Sequence, residues 1–308
     1  MSDKAIDPNE PGLETSKESQ STLSSIKKRL TPDWLTSLSQ RLVTAGIAIP
    51  VVVIAIWFGG WADVLLGILI LGLGIYELKK MFEKLGYRPL TILSFCFGST
   101  LFLGILLLPE YRQTIMEVMV MLLVLGSLSW LLITRHKLGT ALMDWALTLV
   151  MALYLAWPLA YLIALRGSVV GASSPAFWYM LIVFFGEWAF DSAAYFSGRF
   201  MGKHLLAPVV SPGKTWEGVI GGFFLCLAAV FVFSIPIRGI FAWYHVLVLA
   251  ILISFAATIG DLAESLIKRQ AHVKDSGTFF RGHGGVLDRI DSLLFVAVVV
   301  YFYVTLVL

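Results

Sequence analysis

The chain has 308 residues, 58% of them hydrophobic and 14% charged, with a mean hydropathy of +0.84, which excludes an ordinary soluble domain and makes it an integral membrane protein. Its net charge of +3 says little alone, because in such a protein the placement of Lys and Arg matters more than their sum. Cys96 and Cys226 lie in apolar runs without metal-type spacing, which excludes a disulfide framework and a zinc site.

Residues 1–40 are the only long polar stretch. They are rich in Ser, Glu, Lys and Pro, lack the apolar core of a cleavable signal peptide, and read as a disordered, solvated arm ending in the basic cluster Lys27, Lys28 and Arg29. Residues 41–308 form the membrane domain. A spanning helix needs about 20 mainly apolar residues, and nine windows qualify: about 42–59, 62–80, 91–109, 115–134, 141–165, 174–197, 217–236, 243–267 and 289–308. Gly59-Gly60, Pro89, Pro109 and Pro236 fall at or near the breaks, where helices tend to stop. The predicted fold is therefore an all-α integral membrane protein, polytopic, with about nine transmembrane helices.

Basic residues remain on the cytoplasmic side because translocating them is unfavourable. With the N-terminus cytoplasmic, all of the 23 Lys and Arg except Arg112, Arg166 and Arg238 fall in cytoplasmic segments. Two cytoplasmic loops, 198–216 and 268–288, are long and rich in Gly, Lys, His and Asp, so chemistry is sought there. No internal repeat of the kind built into many transporters is found.

Ionisable groups inside a span are costly and usually face a polar cavity or a partner. This reading finds Asp144 in the fifth span, Glu187 and Asp191 in the sixth, and Asp261 and Glu264 in the eighth. Glu187 and Asp191 are four apart and share a helix face that continues to Tyr195. Asp144 has no patterned company and reads as a structural polar contact. Asp261, Ser265 and Lys268 form one face descending to the cytoplasmic end of the eighth span, and the ninth begins at the same surface with Asp288 and Asp291. The two antiparallel helices can bring Asp261, Asp288 and Asp291 to one depth. Clustered carboxylates without nearby Cys or a His pair favour hard cations, above all magnesium.

Lys268, Arg269, Lys274, Arg281 and Arg289 surround these acids, with Lys203 and Lys214 on the preceding loop. Carboxylates ringed by cations suit a metal-bound polyphosphate: acids hold the metal, the metal bridges phosphate oxygens, and the bases neutralise the rest. The run Gly282-His283-Gly284-Gly285 precedes the ninth helix, where glycines allow close backbone approach and a helix N-terminus offers N–H groups to anions. Gly213-Lys214-Thr215 looks like the end of a phosphate-binding P-loop, but Pro208 stands where that motif needs Gly, so the P-loop reading fails.

The segment from Ser265 to Asp291, SLIKRQAHVKDSGTFFRGHGGVLDRID, resembles the signature of the phosphatidate cytidylyltransferase family. The matching positions are Ser265, Lys268, Arg269, Lys274, Asp275, Gly277, His283, Gly284, Gly285, Asp288, Arg289 and Asp291; Arg281 stands where the family usually has Pro. The stretch from Asp191 to Gly218 is similar to the family's upstream region through Ser211, Pro212, Lys214, Thr215, Glu217 and Gly218. The resemblance covers roughly 41–308 in architecture and 174–292 in motifs.

It implies condensation of CTP with phosphatidate to CDP-diacylglycerol and pyrophosphate, with Mg2+ and room for a second cation. By the same resemblance Asp261 and Asp288 would be metal ligands, with Asp291 at or just behind the metal. Lys214, Lys268, Arg269, Lys274 and Arg289 would hold phosphates together with Gly284, Gly285, Ser211 and Asp191, and His283 would donate to or orient a phosphate. It further implies a homodimer among membrane lipids, no nucleic-acid partner, and a multi-pass position in the inner (plasma) membrane with the site on the cytoplasmic side. The nearest alternative is a CTP-dependent transferase or kinase acting on an isoprenoid lipid. A secondary transporter is the alternative from another class.

Overall fold

A computed structural model describes residues 46–134, 139–277 and 284–308. The N-terminal arm, Arg281 and His283 lie outside the described residues. Residues 49–308 form one compact unit, and of residues 1–48 the described part is 46–48, the start of the first helix.

Each of the nine apolar windows corresponds to a helix among the described residues. They are α1 (Gly46–Phe58), α2 (Trp61–Lys84), α3 (Thr91–Leu107), α4 (Arg112–Thr134), α5 (Ala141–Arg166), α6 (Pro175–Met201), α7 (Trp216–Ser234), α8 (Trp243–Gln270) and α9 (Leu287–Val307). Six of them, α2, α4, α5, α7, α8 and α9, are long and apolar enough to cross a membrane. α1 and α3 are shorter apolar helices, whereas α6 has 27 residues and the length to span but carries Glu187 and Asp191. The outward faces are apolar as well: Leu65, Ile92, Leu132 and Phe224 are each more than 60% exposed, a pattern suited to lipid and not to water. The chain is an all-α polytopic membrane protein.

Local chemistry accounts for the helix boundaries. Gly59 and Gly60 both adopt left-handed φ, 64° and 53°, so the chain reverses between α1 and α2 where a side chain would be strained. α6 begins at Ser174, whose hydroxyl accepts from the Ala176 amide at 3.3 Å, followed by Pro175 at a position that needs no N–H. The fifth window reads as one uniform helix, but α5 widens into a π turn over Ala152–Ala156, just before Pro158. Proline has no N–H and its ring crowds the preceding turn, and the wider turn accommodates both. Between α6 and α7, β1 (Leu205–Ala207) and β2 (Ser211–Thr215) pair antiparallel, giving the 198–216 loop a small hairpin. Thr215 ends it by accepting from the Gly218 amide at 3.2 Å, which starts α7.

Small residues let the site-bearing helices approach closely. A Cβ at Gly222 of α7 would stand 2.9 Å from the Phe190 carbonyl oxygen of α6, and one at Gly260 of α8 would stand 2.6 Å from the Asp291 carbonyl oxygen of α9. Apolar packing fills the interior around Leu71, Leu101, Met151, Leu155, Ile182 and Ile253. Together these contacts fix the C-terminal ends of α6 and α8 beside the N-terminal ends of α7 and α9.

Two further acids lie within α2 and belong with the intraspan groups named above. Asp63 is buried near Arg166, which donates to the Ile56 and Trp57 carbonyls at 2.6 and 3.1 Å and so closes the end of α1. Glu77 is buried at the other end of α2 and joins the site. Asp144 accepts from the Arg88 amide at 2.6 Å and from the Thr140 hydroxyl at 3.1 Å, tying the α2–α3 turn to α5. Asp144→Asn leaves an amide oxygen that can accept from Arg88, so turnover is expected within about threefold of the parent chain in a detergent assay. A drop of two orders of magnitude would place Asp144 in the chemistry instead.

Candidate active site

Two ion-paired carboxylates organise the end of the bundle where α6 and α8 finish and α7 and α9 begin. Asp261, near the end of α8, pairs with Lys214 of β2. Both line a cavity of about 490 Å³, together with Asp191, Tyr195 and Arg199 of α6 and Thr258 of α8. The hairpin brings Lys214 to the cavity wall. Arg269 secures that hairpin by donating from Nε to the Val210 carbonyl at 3.3 Å.

Two helix turns beyond Asp261, Lys268 contacts Glu264 and donates to Asp288 Oδ1 at 2.7 Å. The other oxygen, Asp288 Oδ2, accepts from the Gly285 amide at 2.7 Å and the Ser276 amide at 3.0 Å. The Ser276 hydroxyl lies 2.9 Å from the same oxygen and 3.1 Å from Glu77, and its single proton serves one of the two. Glu77 accepts from the Val286 and Leu287 amides, both at 2.8 Å. The backbone amides at the start of α9 are therefore held by two side-chain carboxylates. Gly284, with φ 82°, and Gly285 allow this, since a Cβ at either would collide with Asp288 or Glu77.

Deeper along α6, α8 and α9 the acids face one another. Glu187 lies in hydrogen-bond contact with Asp191, and Asp291 with Glu264, while the charges of Asp191, Asp261 and Asp291 act on one another. Two carboxyl groups in contact need a proton or a cation between them, because two carboxylates only accept. Glu187 Oε2 and Glu264 Oε1 are buried without a hydrogen-bond donor. Such an all-oxygen donor set, short of cations, fits a hard divalent ion. As they stand, no three His, Cys, Asp or Glu side chains among the described residues are grouped closely enough to hold a metal ion. The ammonium groups of Lys214 and Lys268 sit on Asp261 and Asp288 where a cation would compete for them.

Of the residues singled out in the sequence, Asp191, Lys214 and Asp261 thus meet in the cavity, and Lys268, Asp288, Gly284 and Gly285 meet in the adjoining cluster. Asp291 is buried between them, its Oδ1 accepting from the Ser292 amide at 2.7 Å. Ser211 pairs within the hairpin, Lys274 lies exposed in the turn after α8, and Arg289 lies exposed on the first turn of α9. Glu77 and Ser276 were not among the site residues read from the sequence.

Residues 39–307 match the model of a family described as the cytidylyltransferase family. The chain belongs to that family. It is 35% identical over 278 residues to the phosphatidate cytidylyltransferase of Brucella suis, covering 87% of this chain and 94% of that protein. It is 50% identical over 121 residues to the phosphatidate cytidylyltransferase of Haemophilus influenzae, covering 37% of this chain and 41% of that protein. With that of Bacillus subtilis the identity is 42% over 119 residues, 39% and 44% of the two chains, so these two alignments span less than half of either partner. As a cytidylyltransferase-family member the chain is a nucleotidyltransferase, and a polar, cation-rich site at one end of an apolar bundle is where a charged nucleotide and a membrane-borne acceptor can meet.

Proposed function

We propose that the chain is a phosphatidate cytidylyltransferase, converting CTP and phosphatidate to CDP-diacylglycerol and pyrophosphate. The observation that supports this reading best is the cavity of about 490 Å³ bounded by the Lys214–Asp261 pair, next to the Lys268–Asp288 pair, at the end of an apolar helix bundle. A water-soluble triphosphate can reach it from solvent, while the acyl chains of phosphatidate remain in the bilayer.

In the reaction a phosphate oxygen of phosphatidate attacks the α-phosphorus of CTP in line. A new P–O bond forms, the bond to the β-phosphate oxygen breaks, and pyrophosphate leaves with the electron pair. No protein nucleophile is required, so catalysis rests on positioning and charge. Lys214, Lys268, Arg269 and Lys274 hold the phosphates, with Arg289, Ser211 and the Gly284-Gly285 backbone around them; His283, outside the described residues, keeps the phosphate-orienting role that the family resemblance implies. As these ammonium groups turn to phosphate, they free carboxylate oxygens of Asp261 and Asp288. Those oxygens, with Asp291 behind them and Asp191 across the cavity, would hold Mg2+, which when bound neutralises charge on the phosphates.

The site faces the cytoplasm in the inner membrane, a reading supported by the basic residues gathered in loops 198–216 and 268–288. Single cysteines at Val209, which is 91% exposed, and at Ser168 on the opposite side, in a chain lacking Cys96 and Cys226, should label from opposite faces of intact cells or vesicles. Labelling of Val209→Cys from outside would overturn this orientation. The activity itself is tested with purified protein in detergent containing Mg2+. Pyrophosphate should be released from CTP when phosphatidate is added and not when it is omitted or replaced by an isoprenoid phosphate; preference for the isoprenoid acceptor would overturn the reading.

A further inference from the structure

From the contacts around the start of α9 we infer that Glu77 is a positioning residue of the catalytic site, holding the first turn of α9 and, through Ser276, the carboxylate of Asp288. The inference rests on the reading of Asp288 as part of that site. α9 starts without a side-chain cap of its own, because its N-cap position is Val286. A helix N-terminus leaves backbone N–H groups without partners and carries partial positive charge. Glu77 supplies what is missing from another helix, 209 positions earlier in the chain, by accepting from the Val286 and Leu287 amides at 2.8 Å each.

Its second role is lateral. The Ser276 hydroxyl stands between Glu77 Oε2 at 3.1 Å and Asp288 Oδ2 at 2.9 Å, and Asp288 Oδ2 also accepts from the Ser276 and Gly285 amides. Asp288 is thus held by the same two short segments that close on Glu77. Space is reserved for that closure: a Cβ at Gly277 would stand 2.9 Å from Glu77 Cδ, and one at Gly285 would collide with both Glu77 and Ser276. Glu77 is only 3% exposed and does not line the cavity, so it acts through its neighbours and not on substrate. The arrangement leaves Asp288 Oδ1 pointing at Lys268, the orientation the proposed chemistry uses.

The test is a double-variant cycle in the full-length chain. A glutamine at position 77 keeps the volume but offers one carbonyl oxygen in place of two, turning an NH2 group toward a backbone N–H. Glu77→Gln is expected to lower kcat by about tenfold to a hundredfold while leaving KM for CTP within about threefold, as loss of an outer partner of a site carboxylate does. Combined with Asp288→Asn it should add no further loss, since its effect runs through Asp288. Additive losses, or unchanged kcat in Glu77→Gln, overturn the inference. If Glu77→Gln gives no monodisperse protein, Ser276→Ala takes its place in the same cycle with the same two readings.

Hydrogen exchange supplies a readout independent of turnover. The amides of a peptide covering 284–290 should exchange faster in Glu77→Gln than in the parent chain, and equal rates overturn the positioning role. A parent chain inactive on phosphatidate that nevertheless shows this change would count against the proposed function while leaving the clamp on α9 in place.

Discussion

Asp288→Asn, extracted as monodisperse protein, is expected to lose kcat by on the order of a hundredfold or more while retaining its fold. The reason lies in the two oxygens of this one side chain. Oδ1 faces Lys268 and Oδ2 accepts from the Gly285 and Ser276 amides, so an asparagine must turn its NH2 group either toward an ammonium or toward backbone N–H groups. In both orientations the charge available to a divalent cation is gone. The surrounding helices pack through Gly260, Ser292 and the apolar core, which the substitution does not touch, so stability should fall far less than activity. Near-normal magnesium-dependent turnover in folded Asp288→Asn would falsify its assignment as a metal ligand and leave the segment from Gly284 to Asp291 as a binding loop.

Lys268→Met should damage both activity and stability. Lys268 is largely buried between Glu264 and Asp288, its side chain 14% exposed, and Glu264 is fully buried. Removing the ammonium leaves two facing acids with one fewer cation, and breaking a buried pair from one side costs about 3–5 kcal/mol. A thermal unfolding midpoint lowered by several degrees, together with a large loss of kcat, is the expected result. Lys268→Arg keeps the charge but not the geometry, and should recover most of the stability and little of the activity. If Lys268→Met unfolds at the parent temperature, the ion pairs do not hold α8 and α9 together and the energetic account of the cluster is wrong.

Several features of this site are legible in the sequence for clear physical reasons. Apolar runs of spanning length separated by Gly and Pro mark the helices, because in lipid a backbone must satisfy its own hydrogen bonds. Asp261 stands out because charges are rare in such runs, Lys268 because it follows Asp261 at the helical period, and Asp288 because it pairs in the same way with Asp291 where the ninth run begins. The resemblance of residues 265–291 to the family signature sharpened the same region, and membership of the family is now established.

Other features are hidden for equally physical reasons. Glu77 sits three residues before the end of the second apolar window, among Lys79, Lys80, Glu83 and Lys84, and so looks like part of a solvated helix end. Its partners are the amides of Val286 and Leu287, and a backbone amide leaves no mark on sequence. The signal that could have exposed it is the mismatch at α9: a helix whose cap position is valine needs an acceptor from elsewhere. The glycines at 284 and 285 present the reverse case. Their presence predicts close approach, but the approaching groups in the structure are the Asp288 and Glu77 carboxyls. The π turn before Pro158 went unread, although a proline inside a helical run is the signal that could have exposed it, and the hairpin at 205–215 leaves no mark stronger than its loop composition.

Whether this chain moves a cytidylyl group onto a lipid phosphate is decided by the fate of two labels. With CTP labelled at the α-phosphorus, purified protein, Mg2+ and phosphatidate should carry the label into the organic-phase lipid. With CTP labelled at the γ-phosphorus, the label should appear in pyrophosphate and none in lipid. Transfer of the γ label to lipid, or no transfer of the α label, would contradict the account.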